Sequence, residues 1–192
     1  MKRSEINKVI QDADLFFNKN CWTLPPNPKW DVTDFGLGSF MQCGLVLVNL
    51  AEEEEYCEKL MYAVRAQVTP AHTHRKKKED IICRTGALVV QLWDQDPQIQ
   101  KSEERLRIKI NGNIQTISSG EKITLQAGSR VTIEPGVWHE FYPDSDECII
   151  GEVSTANDDL NDNFFSNQEI GRYTEIVEDE LRIVKLLSET EN

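Results

Sequence analysis

Residues 70–80 read PAHTHRKKKED, with two histidines one residue apart and a glutamate five residues beyond the second. The chain holds three histidines in all, and the third, His139, follows Pro135-Gly136-Val137-Trp138. In a strand, residues i and i+2 point to the same side, so His72 and His74 face one way and Thr73 the other. Arg75 to Lys78 reads as a charged, solvated hairpin tip. The chain then returns, which places Glu79 across the hairpin from the two histidines. His139 starts another strand just after the Pro-Gly corner. Three neutral imidazoles and one carboxylate form a mixed nitrogen and oxygen donor set. It leaves two positions open on an octahedral ion such as Mn²⁺, Fe²⁺, Co²⁺ or Ni²⁺. Zn²⁺ also accepts these donors, but four protein ligands tend to close its tetrahedral shell.

Such ligands need a stiff frame, and the chain supplies the signals for one. Ile6, Val9, Ile10, Ala13, Phe16 and Phe17 recur at helical spacing behind Ser4, a candidate cap, and predict one amphipathic helix ending near Asn18. The stretch CWTLPPNPKWDVTDFGLGSF is broken by prolines and glycines, and its aromatics predict that it packs on the core. From Leu45 onward the texture is short β runs. LVLVNL, KLMYAVRAQV, HTH, DIICR, ALVVQLW, RIKI, IQTI, KITL, RVTI, HEFY and CIIGEVS follow one another with no helix between them. Asn111-Gly112 is a tight-hairpin signal. Many short strands separated by turns predict a mostly β protein, a sandwich or closed barrel. The tail RYTEIVEDELRIVKLL is acidic with some helical periodicity. The expected organisation is a single domain: a helix and packing segment over 1–43, a barrel over 44–156 and a tail over 157–192 packed on it.

Length and charge narrow the function. The 192 residues suffice for one well-formed core. A formal net charge of -12 argues against nucleic acid and anionic membrane as partners, since both call for a basic surface. The five cysteines are scattered and form no Cys-x-x-Cys, which fits a reducing cytoplasm. The N-terminus lacks an apolar signal core, and no apolar run is long enough to span a bilayer.

His72-x-His74, four residues, Glu79, six residues, Gly86 resembles the first cupin motif at every defined position. Gly128 through Pro135-Gly136 to His139 resembles the second, with Glu134 and Pro143 standing where that motif has a proline and an asparagine. The resemblance implies a cupin-type β-barrel with His72, His74, Glu79 and His139 as metal ligands. A narrower likeness covers about Asn49 to Glu180. Tyr56 to Leu60, the stretch from His72 to Ile81, PGVWHEFYP, GEVSTANDDLNDNFF and the Gly171-Arg172-Tyr173 to Glu180 tail resemble the D-lyxose isomerases, small cupin sugar isomerases. That implies a divalent metal, usually Mn²⁺, a homodimer, and interconversion of D-lyxose with D-xylulose, with D-mannose and D-fructose also accepted.

Aldose–ketose isomerisation needs a base to carry a proton between C1 and C2. Glu152, a charged residue in the otherwise apolar CIIGEVS, is the first candidate, although alternation with Ile150 does not fix which way it faces. Lys59 matches the family's lysine in Glu-Lys-Leu and is a candidate to hold a substrate hydroxyl or assist the reaction. Arg172 and Glu175, with Glu169, are tail residues that could close over a sugar. Trp138 and Tyr142 flank His139, and an aromatic face suits the C–H side of a sugar. The competing readings are another metal cupin, either an isomerase of sugar phosphates using Arg65, Arg84 or Arg130 or an Fe-dependent dioxygenase, and a non-catalytic sugar-binding cupin.

Overall fold

Two sets of apolar residues, interleaved along the same strands, fill two cores. The computed structural model describes residues 1–99, 102–155, 158, 161–171 and 175–189. One helix, α1 (Arg3–Lys19), precedes thirteen strands among these residues. They are β1 (Lys29–Thr33), β2 (Leu45–Glu52), β3 (Tyr56–Val64), β4 (Thr69–Thr73), β5 (Glu79–Thr85), β6 (Ala87–Trp93), β7 (Arg105–Ile110), β8 (Asn113–Ser118), β9 (Lys122–Gln126), β10 (Arg130–Ile133), β11 (Trp138–Pro143), β12 (Glu147–Thr155) and β13 (Phe164–Phe165). The larger sheet runs β1-β2-β3-β12-β5-β10-β7-β8 and the smaller β13-β4-β11-β6-β9. All pairings within both sheets are antiparallel.

Alternation explains the two cores. Leu45, Met61, Ile81 and Ile150 point between the sheets and meet Leu88, Leu92 and Phe141 of the smaller sheet. Val46, Val48, Leu60, Tyr62 and Ile149 point outward and are covered by Ile6, Ile10, Phe16 and Phe17 of α1. LVLVNL therefore reads as continuously apolar because both its faces are buried. Asn111 and Gly112, at φ 51° and 80°, form the two-residue turn between β7 and β8, with Ile110 opposite Asn113. Gly86, at φ 84°, turns the chain from one sheet to the other. A Cβ there would collide with Ser145 Oγ and lie 2.8 Å from Glu147 O, so the position takes only glycine.

Two expectations are corrected. First, β4 and β5 are not a hairpin, because β4 belongs to the smaller sheet and β5 to the larger. Residues 74–78 carry the chain across the gap between the sheets. Second, Ser4 lies inside the first turn of α1 rather than capping it; Glu5 Oε2 instead accepts the Lys2 N–H at 2.8 Å. The helical periodicity of the tail does not become an α-helix in its described part, which holds one short 3₁₀ turn, Leu187–Glu189. Its polar groups are engaged by the first turns of α1 instead. Arg3, 1% exposed, donates to Glu178 at 2.6 Å and to Glu189 at 2.7 Å. The Ser4 hydroxyl donates to Asp179 at 2.8 Å, and the Asn7 amide donates to Leu181 O at 2.8 Å and accepts the Ile183 N–H at 3.2 Å. No helix among the described residues is long and apolar enough to cross a membrane.

Candidate metal centre and the cavity around it

The two sheets meet at a buried cluster, of which His72 and Glu79 line a cavity of about 480 Å³. From the smaller sheet come His72 and His139, which are direct register partners on β4 and β11, with ring centroids 4.0 Å apart. His74 stands just beyond the end of β4. The larger sheet supplies Glu79, the first residue of β5. The four donor atoms lie within 4.8 Å of one another, and all four residues are buried.

Backbone carbonyls set the tautomer of every histidine. His72 Nδ1 lies 2.7 Å from Pro70 O, His74 Nδ1 2.8 Å from Asp162 O and His139 Nδ1 3.2 Å from Val137 O. A carbonyl can only accept, so each Nδ1 donates to it, and Nε2 is left as the ring atom turned toward the cluster. His74 Nε2, His139 Nε2 and Glu79 Oε1 are buried without a hydrogen-bond partner, and His139 Nε2 and Glu79 Oε1 stand 2.7 Å apart. Donor atoms converging at that distance in a buried site suit a cation held among them. Burial, with the neighbouring His139 and His74, holds His72 well below its ordinary pKa and therefore neutral. Burial pushes the Glu79 carboxyl up, but Lys77 and His139 more than reverse this and hold it well below the usual carboxylate range. Neutral imidazoles and an ionised carboxylate are the forms that ligate, and the cluster fits a divalent metal ion.

Beside the cluster lies a charged group that the sequence reading only half found. Glu152 and Lys59 are register partners on β12 and β3, both buried and lining the cavity, with Lys59 Nζ 3.7 Å from Glu152 Oε1. Lys77, expected at a solvated tip, is 6% exposed. Its Nζ sits 2.9 Å from Glu79 Oε2 and 3.0 Å from Glu152 Oε1. Two buried carboxylates offset the desolvation of its charge. The signal was its spacing: Lys77 is two residues before Glu79 and so falls on the same side of an extended chain.

Asp162 fixes the crossing link. Its carboxylate accepts the backbone N–H groups of Arg75 at 2.9 Å, Lys76 at 3.1 Å and Lys77 at 2.9 Å, while its carbonyl holds His74. Burial raises the Asp162 pKa, but these N–H bonds outweigh it and keep the side chain a carboxylate. Asp162→Ala is expected to weaken binding of a divalent ion at the cluster about 10- to 100-fold, the scale of losing a supporting contact around such a site. Asp162→Asn, which keeps one acceptor, should fall between the two. Metal titration of the wild type and the two variants checks this.

Other expected site residues lie elsewhere. Trp138 and Tyr142 alternate with the inward-facing His139 and Phe141, do not line the cavity, and Tyr142 instead carries the Lys122 ammonium 5.5 Å over its ring. Glu175 is exposed, and its backbone carbonyl accepts from the Met1 ammonium at 2.7 Å. Glu169 is exposed, and Arg172 lies outside the described residues. The tail does contribute Gly171, Leu187 and Ser188 to the cavity wall. Of the arginines considered for phosphate, Arg65 pairs with Asp146 at 3.1 Å, Arg130 with Asp80 at 3.0 Å, and Arg84 stacks over Trp22 at 5.3 Å; none lines the cavity.

A model of the D-lyxose isomerase family matches residues 27–190. A D-lyxose/D-mannose isomerase of Escherichia coli O157:H7 is 35% identical over 94% of this chain and 94% of its own. A D-lyxose ketol-isomerase of Thermofilum sp. (strain ex4484_79) is 28% identical over 90% of this chain and 97% of its own. Among solved structures, the L-ribose isomerase of Acinetobacter sp. DL28 in complex with L-ribose superposes with a TM-score of 0.70 at 15% identity, over 92% of this chain and 98% of that one. At that identity the likeness speaks for the cupin fold alone.

Proposed function

Because the chain belongs to the D-lyxose isomerase family and is an aldose–ketose isomerase, we propose that it interconverts D-lyxose with D-xylulose, and D-mannose with D-fructose, at the cavity between its sheets. The observation that carries this reading is the juxtaposition of a buried His₃Glu cluster with a buried Glu152 that is not part of it. His72, His74, Glu79 and His139 would hold a divalent ion, which when bound would supply Lewis-acid stabilisation of the negative charge that develops on the sugar. Glu152 takes the proton from C2 of the aldose and returns it to C1. A hydroxyl proton passes from O2 to O1 in the same turnover. The Lys77 and Lys59 ammonium groups, both beside Glu152, face the negative charge that develops on those oxygens. The surrounding cavity wall, including Phe35, Phe141 and Phe165, limits water around the reacting carbons.

We further propose Mn²⁺ as the native ion, supported by the mixed donor set, a homodimer as implied by the family resemblance, and a cytoplasmic site of action. All five cysteines are free, as a reducing compartment favours. Stripping the protein with a chelator is expected to abolish ketose formation from D-lyxose and D-mannose, and Mn²⁺ should restore it. His72→Ala and His139→Ala should bind the ion more weakly by over about 100-fold and show no restoration at micromolar Mn²⁺. Full turnover in the chelated protein would sink the metal role, and no ketose from either sugar with Mn²⁺ bound would sink the isomerase reading.

A further inference from the structure

One polar side chain in the cavity is used by neither the metal cluster nor the proton transfer. Asn49 is 8% exposed, lines the cavity, and has a buried Oδ1 with no hydrogen-bond partner. Its Nδ2 donates weakly to Glu52 Oε2 at 3.4 Å, which turns Oδ1 to be the atom on offer. An unsatisfied buried amide oxygen is costly and calls for an explanation.

Position supplies one. Asn49 pairs with Lys59, Lys59 pairs with Glu152, and Glu152 pairs with Ile81, so the four form one rung across β2, β3, β12 and β5. Glu79 and the metal cluster lie at the β5 end of this rung, and Asn49 lies at the other end. From β12 to β2 is two strand spacings, about 9.5 Å. A sugar whose C1 and C2 lie between Glu79 and Glu152 would run past Lys59 and place its far carbons near Asn49. The β2–β3 register slips between Asn49 and Ala51, leaving Leu50 as an extra residue. Such a bulge re-aims a neighbouring side chain, and bulges are over-represented beside active sites.

We infer that Asn49 is a specificity residue whose Oδ1 accepts a hydrogen bond from the terminal hydroxyl of the sugar, the one farthest from the reacting carbons. This rests on the isomerase reading above. A site built to bond a hydroxyl rejects an analogue that lacks it, because the protein group is then left unpaired.

The test is a cycle of two enzymes and two sugars. Wild type and Asn49→Ala, both loaded with Mn²⁺, are assayed with D-lyxose and with 5-deoxy-D-lyxose. Comparing each sugar between enzymes cancels differences in its ring forms in solution. Wild type is expected to prefer D-lyxose by at least about 10-fold in kcat/KM. In Asn49→Ala the preference should shrink to within about threefold, through a raised KM for D-lyxose with kcat changed less than about threefold. Asn49→Asp keeps an acceptor oxygen and should keep the preference. If the alanine variant does not fold, Asn49→Leu, of similar size and without an acceptor, is read in its place. Equal losses on both sugars, or a loss confined to kcat, would overturn the inference while leaving the isomerase intact. Wild type making no ketose from D-lyxose would instead overturn the reading beneath it.

Discussion

Glu152→Gln is expected to reduce kcat on D-lyxose by about 10²- to 10⁴-fold, the range supplied by a positioned general base, while metal stoichiometry stays unchanged. Glutamine fills the same volume and can still accept from Lys77, now 3.0 Å from Oε1, but it cannot take a proton from carbon. Glu152 lies outside the cluster of donor atoms formed by His72, His74, Glu79 and His139, so binding of the ion should survive. Two readouts separate the steps. Ketose formation reports the whole transfer, and incorporation of deuterium at C2 of the aldose from D₂O reports proton abstraction alone. Both should fall together. A variant within tenfold of wild type in either would move the base to another group.

Lys77→Met is expected to be damaging in a different way. The methionine fills the space but leaves Glu79 and Glu152 facing one another, both buried, with the cation 2.9 Å from one and 3.0 Å from the other removed. Taking one partner from a buried ion pair costs about 3–5 kcal/mol, enough to lower the thermal midpoint by several degrees in a domain of this size. Glu79 would also lose the main charge that opposes the effect of burial on its carboxyl, so its pKa rises and protons compete with the ion at higher pH. Calorimetry together with metal titration at two pH values checks both parts. A variant with wild-type stability and wild-type metal affinity would show that Lys77 is not needed to balance the two carboxylates.

What the sequence could and could not convey follows from these residues. The spacing of His72, His74, Glu79 and His139 was legible because a two-residue strand period and a Pro-Gly corner leave few places for those side chains to point. The strands themselves were legible from alternation and from Asn111-Gly112. Partnership was less so: β4 and β5 are adjacent in the chain but belong to different sheets, and nothing within residues 70–80 distinguishes a hairpin from a crossing. Lys77 was misjudged because charge density argues for solvent until Glu152, from a distant strand, is known to meet it beside Glu79. Asp162 acts on residues 75–77 from more than eighty positions away, through backbone groups that no side-chain pattern records. The tail has helical periodicity, but its hydrogen bonds go to α1, and only the tertiary contact decides that.

The clustered residues that fit a divalent ion come from both sheets, Glu79 from the larger and His72 and His139 from the smaller. An ion bound by all of them is therefore a cross-link between the two halves of the sandwich, and its occupancy enters the folding equilibrium. By linkage, free ion at 100 times its dissociation constant adds about 2.7 kcal/mol, a sizeable share of the 5–15 kcal/mol that holds a typical domain together. Heat tolerance then becomes a function of ion supply, and chelation acts on the fold as well as on turnover. Lys77 softens that dependence. Its Nζ sits 2.9 Å from Glu79 Oε2, so part of the carboxylate's charge is offset from within the chain and not by the ion alone.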